Sequence, residues 1–269
     1  MVKKLFKHEL FALSRVLFIM QGILLVASVF LRILQFFETE HFVYSIVFFF
    51  AALLYGTAVL VNLMSPMVMA VVRYYRNLFT AEGYLSFSLP VTVAQHLIVK
   101  ALSALVFQVI AWGVTALSLV IVMAGDVLHE VGLAAEYLFK QIPADAAGHI
   151  FLWGVELLVF FAVLFLSQAF LYYGCISIGQ LARKNRVLAA VGVYFGYYVV
   201  TQILATILTV LMAIFGDRIP FDALVEFAGT HPIAFVHLCL GSMLLLAAVF
   251  TALYFLVSHT IIRKRLNLE

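Results

Sequence analysis

Long runs of apolar residues, separated by short polar stretches, dominate the hydrophobic pattern of this chain. Six runs reach the length of about 20 apolar residues that a helix needs to cross a membrane. They cover residues 16–37, 42–72, 97–124, 150–180, 187–215 and 233–260. The first run is longer than the apolar part of a secretory leader, and no A-x-A-like cleavage site follows it, so we interpret it as a retained span. The pattern predicts an all-α, polytopic membrane protein with six transmembrane helices.

The first 15 residues have a different pattern, in which apolar and charged positions fall on separate faces of a helix. The apolar face consists of Leu5, Phe6, Leu10 and Leu13. Such an amphipathic helix is typical of a segment that lies in the membrane interface, so residues 1–15 are predicted to form an interfacial helix. The alternative is that the lysines of this segment only flank the first span on its cytoplasmic side.

Composition and charge agree with an integral membrane protein. The chain has 269 residues, of which 66% are hydrophobic and 11% charged, whereas a soluble domain has about 25% charged residues. The net charge is only +3, and no basic block is interleaved with aromatic residues that could stack on bases. These features exclude nucleic acid as a partner. No repeat or soluble domain interrupts the pattern, so residues 1–269 are predicted to be one membrane domain.

The distribution of lysine and arginine predicts the orientation of the spans. Thirteen of the 16 basic residues fall in the N-terminal segment, between spans two and three, between spans four and five, and in the C-terminal tail. The opposite side contains most of the acidic residues. Because basic residues accumulate on the cytoplasmic side of a membrane, both termini are predicted to be cytoplasmic.

The segment of residues 73–96 separates spans two and three and faces the cytosol in this orientation. Gly83 and Pro90 are expected to break the helix, which predicts a short helix around residues 76–82 and a second helix start after Pro90. The segment is rich in aromatic residues and has one acid, Glu82. Two interpretations are open, because such a surface is suited to binding a protein and equally suited to lying against its own bundle.

Two stretches of the sequence resemble a known family. Phe79-Thr80-Ala81-Glu82-Gly83-Tyr84-Leu85-Ser86-Phe87-Ser88-Leu89-Pro90-Val91, followed by Lys100, resembles the segment after the second span in type-2 ABC exporter permeases. Residues 178–186 resemble the inner loop before the fifth span of the same family. The family also has six spans, an N-terminal interfacial helix and both termini inside the cell.

The resemblance implies the membrane-spanning permease subunit of a bacterial ABC transporter, an exporter located in the cell membrane. A separate cytosolic ATPase subunit would bind ATP and Mg²⁺ and drive transport, and a second permease chain, identical or different, would complete a dimer. Residues 216–232 would form a re-entrant or surface helix on the outer side. Contacts with the ATPase would come from the segment of residues 73–96, through Phe79, Glu82, Gly83, Tyr84, Leu89 and Pro90.

Motifs of catalysis and cofactor binding are missing from the sequence. There is no G-x-x-x-x-G-K-[ST], H-E-x-x-H or G-x-S-x-G, so no catalytic, cofactor-binding or metal site is predicted and the chain itself is not expected to be an enzyme. The alternative function is a self-contained secondary transporter or a substrate-binding membrane subunit. Such proteins usually place ionisable groups near the middle of the membrane.

A few polar residues inside the spans are candidates for a substrate path. Gln202, Thr206 and Thr209 follow one helical stripe in span five, and Tyr55 and Asn62 share a face of span two. The resemblance implies that spans two and five line the path, which makes these five residues its candidate lining. The alternative is that they form hydrogen bonds between helices.

Two further features of the spans concern a proline and two charges. Pro66 lies four residues after Asn62, so a bend and a free Asn62 carbonyl are expected there. Arg32 and Glu156 are the charges placed deepest in the outer parts of the spans, where an ion pair between them is feasible. Arg32 could instead extend outward to the water.

Overall fold

A computed structural model describes residues 2–37, 41–80, 82–88, 90–141, 144–216 and 221–265. The described residues are almost entirely helical, which confirms the all-α prediction. The helices are α1 (Val2–Phe36), α2 (Phe42–Phe79), α3 (Glu82–Ser88), α4 (Val93–Met123), α5 (Asp126–Gln141), α6 (Ala144–Ala147), α7 (Ile150–Gly179), α8 (Arg186–Phe215), α9 (Phe221–Thr230) and α10 (Pro232–Arg265).

Six of the described helices, α1, α2, α4, α7, α8 and α10, are long and apolar enough to cross a membrane. Each of them matches one of the six apolar runs to within one residue at the helix end or contains it, so the number and the order of the predicted spans are confirmed. This is the architecture of a multi-pass membrane protein.

The separate interfacial helix predicted for residues 1–15 is not confirmed. α1 runs without a break from Val2 to Phe36, and its first turns pack against other helices, since Glu9 and Leu13 are both buried. The physical reason is local: the sequence has no proline, and no glycine before Gly22, that could end a helix near residue 15.

The contacts of the chain group into two compact units, Met1–Pro143 and Ala144–Glu269. In the first unit α1, α2 and α4 pack against one another. Its apolar core is centred on Leu13 and Leu17 of α1 and Phe107 of α4. Near the other end of α1, the Tyr44 hydroxyl donates a hydrogen bond of 3.0 Å to the Leu34 carbonyl and joins α2 to α1.

In the second unit α7 packs against α10 and α8. The Ser258 hydroxyl of α10 lies 3.3 Å from the Phe170 carbonyl of α7. Gly179 ends α7 beside the start of α8, where a Cβ would lie 2.6 Å from the Ala190 backbone, so this approach requires glycine. Most side chains of α8 are exposed, and Ala190 is its one buried residue.

Shorter helices connect the long ones. α9 falls within residues 216–232, where the resemblance implied a re-entrant or surface helix; residues 217–220 of that range lie outside the described residues. α5 follows α4 after a turn at Gly125, whose φ of +100° favours glycine. α5 was not predicted from the sequence.

Candidate functional site

The segment of residues 73–96 is built differently from the prediction. α2 continues to Phe79, and the chain becomes extended at Thr80. The short helix is α3, at Glu82–Ser88 rather than around residues 76–82. Gly83 was wrongly predicted to break the helix, because it lies in the first turn of α3, where one glycine costs only about 1 kcal/mol. The helix start after Pro90 is confirmed by α4.

A capping box fixes where α4 begins. The Thr92 hydroxyl accepts a hydrogen bond of 3.3 Å from the backbone N–H of Gln95. The Gln95 side chain in turn accepts one of 3.0 Å from the Thr92 N–H. Two of the N–H groups that a helix start leaves open are therefore satisfied, and the chain between α3 and α4 is confined to a few residues.

The residues implied to contact an ATPase fall into two groups. Glu82, Tyr84 and Pro90 are exposed, and the Glu82 carboxylate is 3.7 Å from the Arg76 guanidinium. Gly83 is buried, and the Phe79 ring packs edge-on to the Tyr74 ring with centroids 5.5 Å apart. Leu89 lies outside the described residues. The exposed residues of α3 thus face away from the bundle, while the helix itself packs against α2.

A buried group of charges lies beside this segment, and we call it the Glu9 cluster (Glu9, Arg73, Asn77 and Lys100). One Glu9 oxygen accepts a hydrogen bond of 2.6 Å from Lys100 Nζ and one of 3.2 Å from Asn77 Nδ2. The other oxygen lies 2.9 Å from Arg73 Nε and 2.8 Å from Arg73 Nη2. A single carboxylate of α1 therefore binds side chains of both α2 and α4.

Burial makes the Glu9 cluster energetically important. Glu9 and Lys100 are each only 5% exposed, and burial of unpaired charges is very unfavourable. The cost of this burial is compensated by four contacts from donors to the Glu9 carboxylate. Two of them come from the planar guanidinium of Arg73, whose geometry fits a carboxylate. The cluster thus ties α1, the end of α2 and the start of α4 together on both sides of α3.

The sequence analysis missed this cluster, although a signal was present. The buried residues of α1 recur every three or four positions and form one face: Glu9, Leu13, Leu17, Gln21, Leu24, Ala27, Ser28 and Leu31. Glu9 continues the stripe of buried leucines, so the helical period places its carboxylate on the inner face. In the sequence, Arg73 and Lys100 served to orient the chain, and Lys100 also follows the stretch that resembles the permease family.

The path candidates of the first unit lie in contacts between α2 and α4. The Asn62 amide is 1% exposed and donates hydrogen bonds of 3.1 Å to the Ala111 carbonyl and 3.0 Å to the Thr115 hydroxyl. The Tyr55 hydroxyl lies 3.1 Å from the Ser118 hydroxyl. These bonds support the alternative that the two side chains join helices.

The carbonyl freed by Pro66 has a partner. α2 passes through Pro66 without interruption, and the Ser65 hydroxyl donates a hydrogen bond of 3.1 Å to the Asn62 carbonyl. The expected loss of the backbone hydrogen bond is therefore compensated by the neighbouring side chain, as polar groups inside a membrane require.

The path candidates of the second unit are exposed on α8. Gln202, Thr206 and Thr209 all face outward, and the Thr206 hydroxyl donates only to the Gln202 carbonyl of its own helix, at 2.9 Å. A groove of about 510 Å³ between α7, α8 and α10 lies on a different face of α8, and none of these three residues lines it. Its polar members are Ser167, Gln168, Tyr197, Thr201 and Tyr254. The two groups of candidates lie in different units, and their joint lining of a path stays a prediction.

The two deep charges each have a partner in their own unit. Arg32 Nη1 donates a hydrogen bond of 2.9 Å to Gln35, and the guanidinium lies over the Phe36 ring at 4.7 Å. Glu156 accepts a bond of 2.7 Å from His237 Nδ1. The ion pair between Arg32 and Glu156 would join the two units and stays a prediction.

Glu156 and His237 are part of a chain of titratable groups. His237 Nε2 lies 3.1 Å from His149 Nδ1, and the Trp153 ring lies 6.0 Å from the His237 ring. Within the described residues, no three side chains of His, Cys, Asp or Glu converge as metal ligands.

Comparisons with protein-family models, with curated proteins and with solved structures give no match for this chain.

Proposed function

We propose that this chain is the permease subunit of a bacterial ABC exporter and that a separate ATPase subunit drives it from the cytosol. The observation that carries the proposal is the placement of α3. This short helix presents Glu82 and Tyr84 to the solvent, and it lies between two membrane-spanning helices whose adjoining ends both bind Glu9.

The Glu9 cluster supports a coupling role for α3. A force on α3 reaches α2 and α4 through short connections, and the buried ion pairs join both helices to α1. Separating the partners of such a buried pair is strongly destabilising, because it leaves a buried charge unpaired. A movement imposed on α3 would therefore be passed to three spans together rather than absorbed by a loose loop.

The partners follow from the same proposal. Because the sequence has no phosphate-binding loop, ATP and Mg²⁺ would be bound by the ATPase and not by this chain. A second permease chain would complete the transporter in the bacterial cell membrane. The exposed stripe of Gln202, Thr206 and Thr209 is offered as the part of the substrate path that this chain supplies.

The direct test exchanges one exposed carboxylate. Glu82→Arg should reverse the charge that α3 offers to a basic residue of the ATPase and so weaken binding, with little cost to folding. Tyr84→Ala removes an exposed aromatic anchor, a change that costs about 2 kcal/mol at interfaces of this kind. Both variants should reach the membrane in normal amounts but lose co-purification of a P-loop ATPase and the ATP hydrolysis of the purified complex.

The matched control is Glu136→Arg in α5. Glu136 is also an exposed carboxylate paired with a basic residue, Lys140, at 2.8 Å, but it belongs to a helix remote in sequence from α3. Its variant should retain the ATPase. If Glu82→Arg and Tyr84→Ala retain it as well, α3 is not the docking element. If the chain transports in vesicles that contain no ATPase, the secondary-transporter alternative is correct.

A further inference from the structure

α5 is amphipathic, and its apolar side is exposed. At 100° per residue, the apolar side covers about 140° of the helix circumference. It consists of Val127, Leu128, Val131, Ala134, Ala135, Leu138 and Phe139, which we call the α5 arc. All members except the half-buried Ala135 are exposed. An apolar surface of this size is expected to have a binding partner.

The opposite side of α5 is mainly polar. Glu136 and Lys140 form an ion pair of 2.8 Å there, and both side chains are more than half exposed. His129 and Glu130 share this side, although Leu133 and Tyr137 interrupt it. The division into one apolar and one charged side is the pattern of a helix that lies along a membrane surface.

The start of α5 is placed at the edge of the membrane by its neighbours. α5 begins three residues after Met123, the last residue of the long apolar helix α4. The turn between them contains Gly125, where a Cβ would lie only 2.8 Å from Arg32 Nη2 of α1. A guanidinium is stable where it can reach water or headgroups, so Arg32 and the Gly125 turn belong at the polar boundary of the bilayer.

The length and the charges of α5 determine whether it can cross the membrane from that position. Its 16 residues extend about 24 Å, which is short of the roughly 30 Å of the hydrocarbon core. Glu130, Glu136 and Lys140 also make a crossing unfavourable. A helix that starts at the boundary and cannot cross can bury its arc by lying flat.

We propose that α5 lies along the bilayer surface at the membrane face opposite the Glu9 cluster. The α5 arc is inserted among the upper parts of the lipid chains, and the Glu136–Lys140 pair is in the headgroup layer. The lipid surface is adjacent wherever α4 is inserted, so no second protein is needed to cover the arc. This inference is independent of the proposed transporter function.

Nitroxide labels on single cysteines test the proposal in the full-length protein. In a Cys175→Ala/Cys239→Ala background, Val131→Cys and Leu138→Cys place labels on the arc, and Glu136→Cys and Lys140→Cys place them on the polar side. The protein is reconstituted in phosphatidylcholine vesicles, and collisions with oxygen and with a water-soluble nickel complex are measured. Leu245→Cys, on the exposed surface of the apolar helix α10 and outside its groove, gives the reference for a label in lipid.

The arc labels should lose collisions with the nickel complex and collide with oxygen as the Leu245 label does, while the polar-side labels keep their nickel collisions. Nickel access at all four positions would show that α5 is surrounded by water. Protection of the arc labels from both reagents would show that protein covers the arc. Either result overturns the proposal.

Discussion

The two compact units each assemble three long helices, but the polar groups that join the helices are buried to different extents. In the first unit α1, α2 and α4 are joined by buried charges and a buried amide, from Glu9 at one end to Asn62 farther along α2. In the second unit the Glu156–His237 pair joins α7 to α10 and the Tyr197 and Tyr254 hydroxyls join α8 to α10, but these side chains are partly exposed. α8 leaves nearly all of its side chains exposed.

This difference matters because a bilayer offers apolar side chains the same surroundings that a protein does. Apolar contact alone gives little preference for helix association in lipid, whereas hydrogen bonds and close packing do. The first unit is therefore expected to hold one fixed arrangement. The exposed surface of α8 is free to contact lipid, substrate or another chain.

The strongest test of this contrast removes the central carboxylate of each unit. Glu9→Ala leaves Lys100 buried without a counter-charge and should destabilise the protein by about 3–5 kcal/mol. Glu156→Ala removes a carboxylate that is about one-third exposed and should cost only about 1 kcal/mol. Thermal unfolding of the purified proteins in detergent measures both.

A double variant separates charge from packing at Glu9. Glu9→Met combined with Lys100→Met leaves no unpaired charge in the deepest part of the cluster, so it should recover part of the stability that Glu9→Ala loses. Equal losses for Glu9→Ala and Glu156→Ala, with no recovery in the double variant, would contradict an ionic role of the cluster.

A smaller effect is expected when an amide is replaced by leucine in each unit. Asn62→Leu removes two buried hydrogen bonds and should lower stability by about 1 kcal/mol while leaving ATP hydrolysis per complex unchanged. Gln202→Leu changes an exposed residue and should leave stability unchanged while altering the ATP hydrolysis that accompanies transport. The opposite pattern would assign the path to α2 rather than α8.

The smallest effect concerns one hydroxyl in α2. Ser65→Ala removes the donor to the Asn62 carbonyl, which Pro66 leaves without its backbone partner, and should lower the free energy of unfolding by about 0.5 kcal/mol. Thr57→Ala is the matched control. Thr57 donates to the Leu54 carbonyl at 2.8 Å, but that carbonyl keeps its helical N–H. Equal melting temperatures for the two variants would show that Ser65 does not compensate for the proline.

The spans were predictable from the sequence because length and hydropathy alone decide whether a helix crosses a membrane. α5 was not predictable by that criterion. Its 16 residues include Asp126, Glu130, Glu136 and Lys140, so it has no long apolar run, and only the helical period of its apolar residues indicates the helix. The break in the segment of residues 73–96 was misplaced because glycine was given more weight than the helix-forming residues around it.

The candidate site was predictable only in part. Glu82 and Tyr84 are exposed, and both lie in the segment of residues 73–96 that the sequence indicated as a candidate protein-binding surface. The Glu9 cluster depends on three helices meeting at one point, which the period of α1 alone cannot specify. A count of basic residues does not reveal the cluster either, because it gives the side on which Arg73 and Lys100 lie but not that they pair with a buried acid.

The unbroken course of α1 has a mechanical consequence. Glu9 and Arg32 are 23 positions apart on this helix, which is about 35 Å along its axis. Glu9 holds the ends of α2 and α4, and Arg32 lies against the Gly125 turn that leads into α5. Because a straight helix resists compression and stretching, a displacement at one of these contacts reaches the other unless α1 tilts or bends. α1 is thus a strut that transmits a displacement from one membrane face to the opposite face.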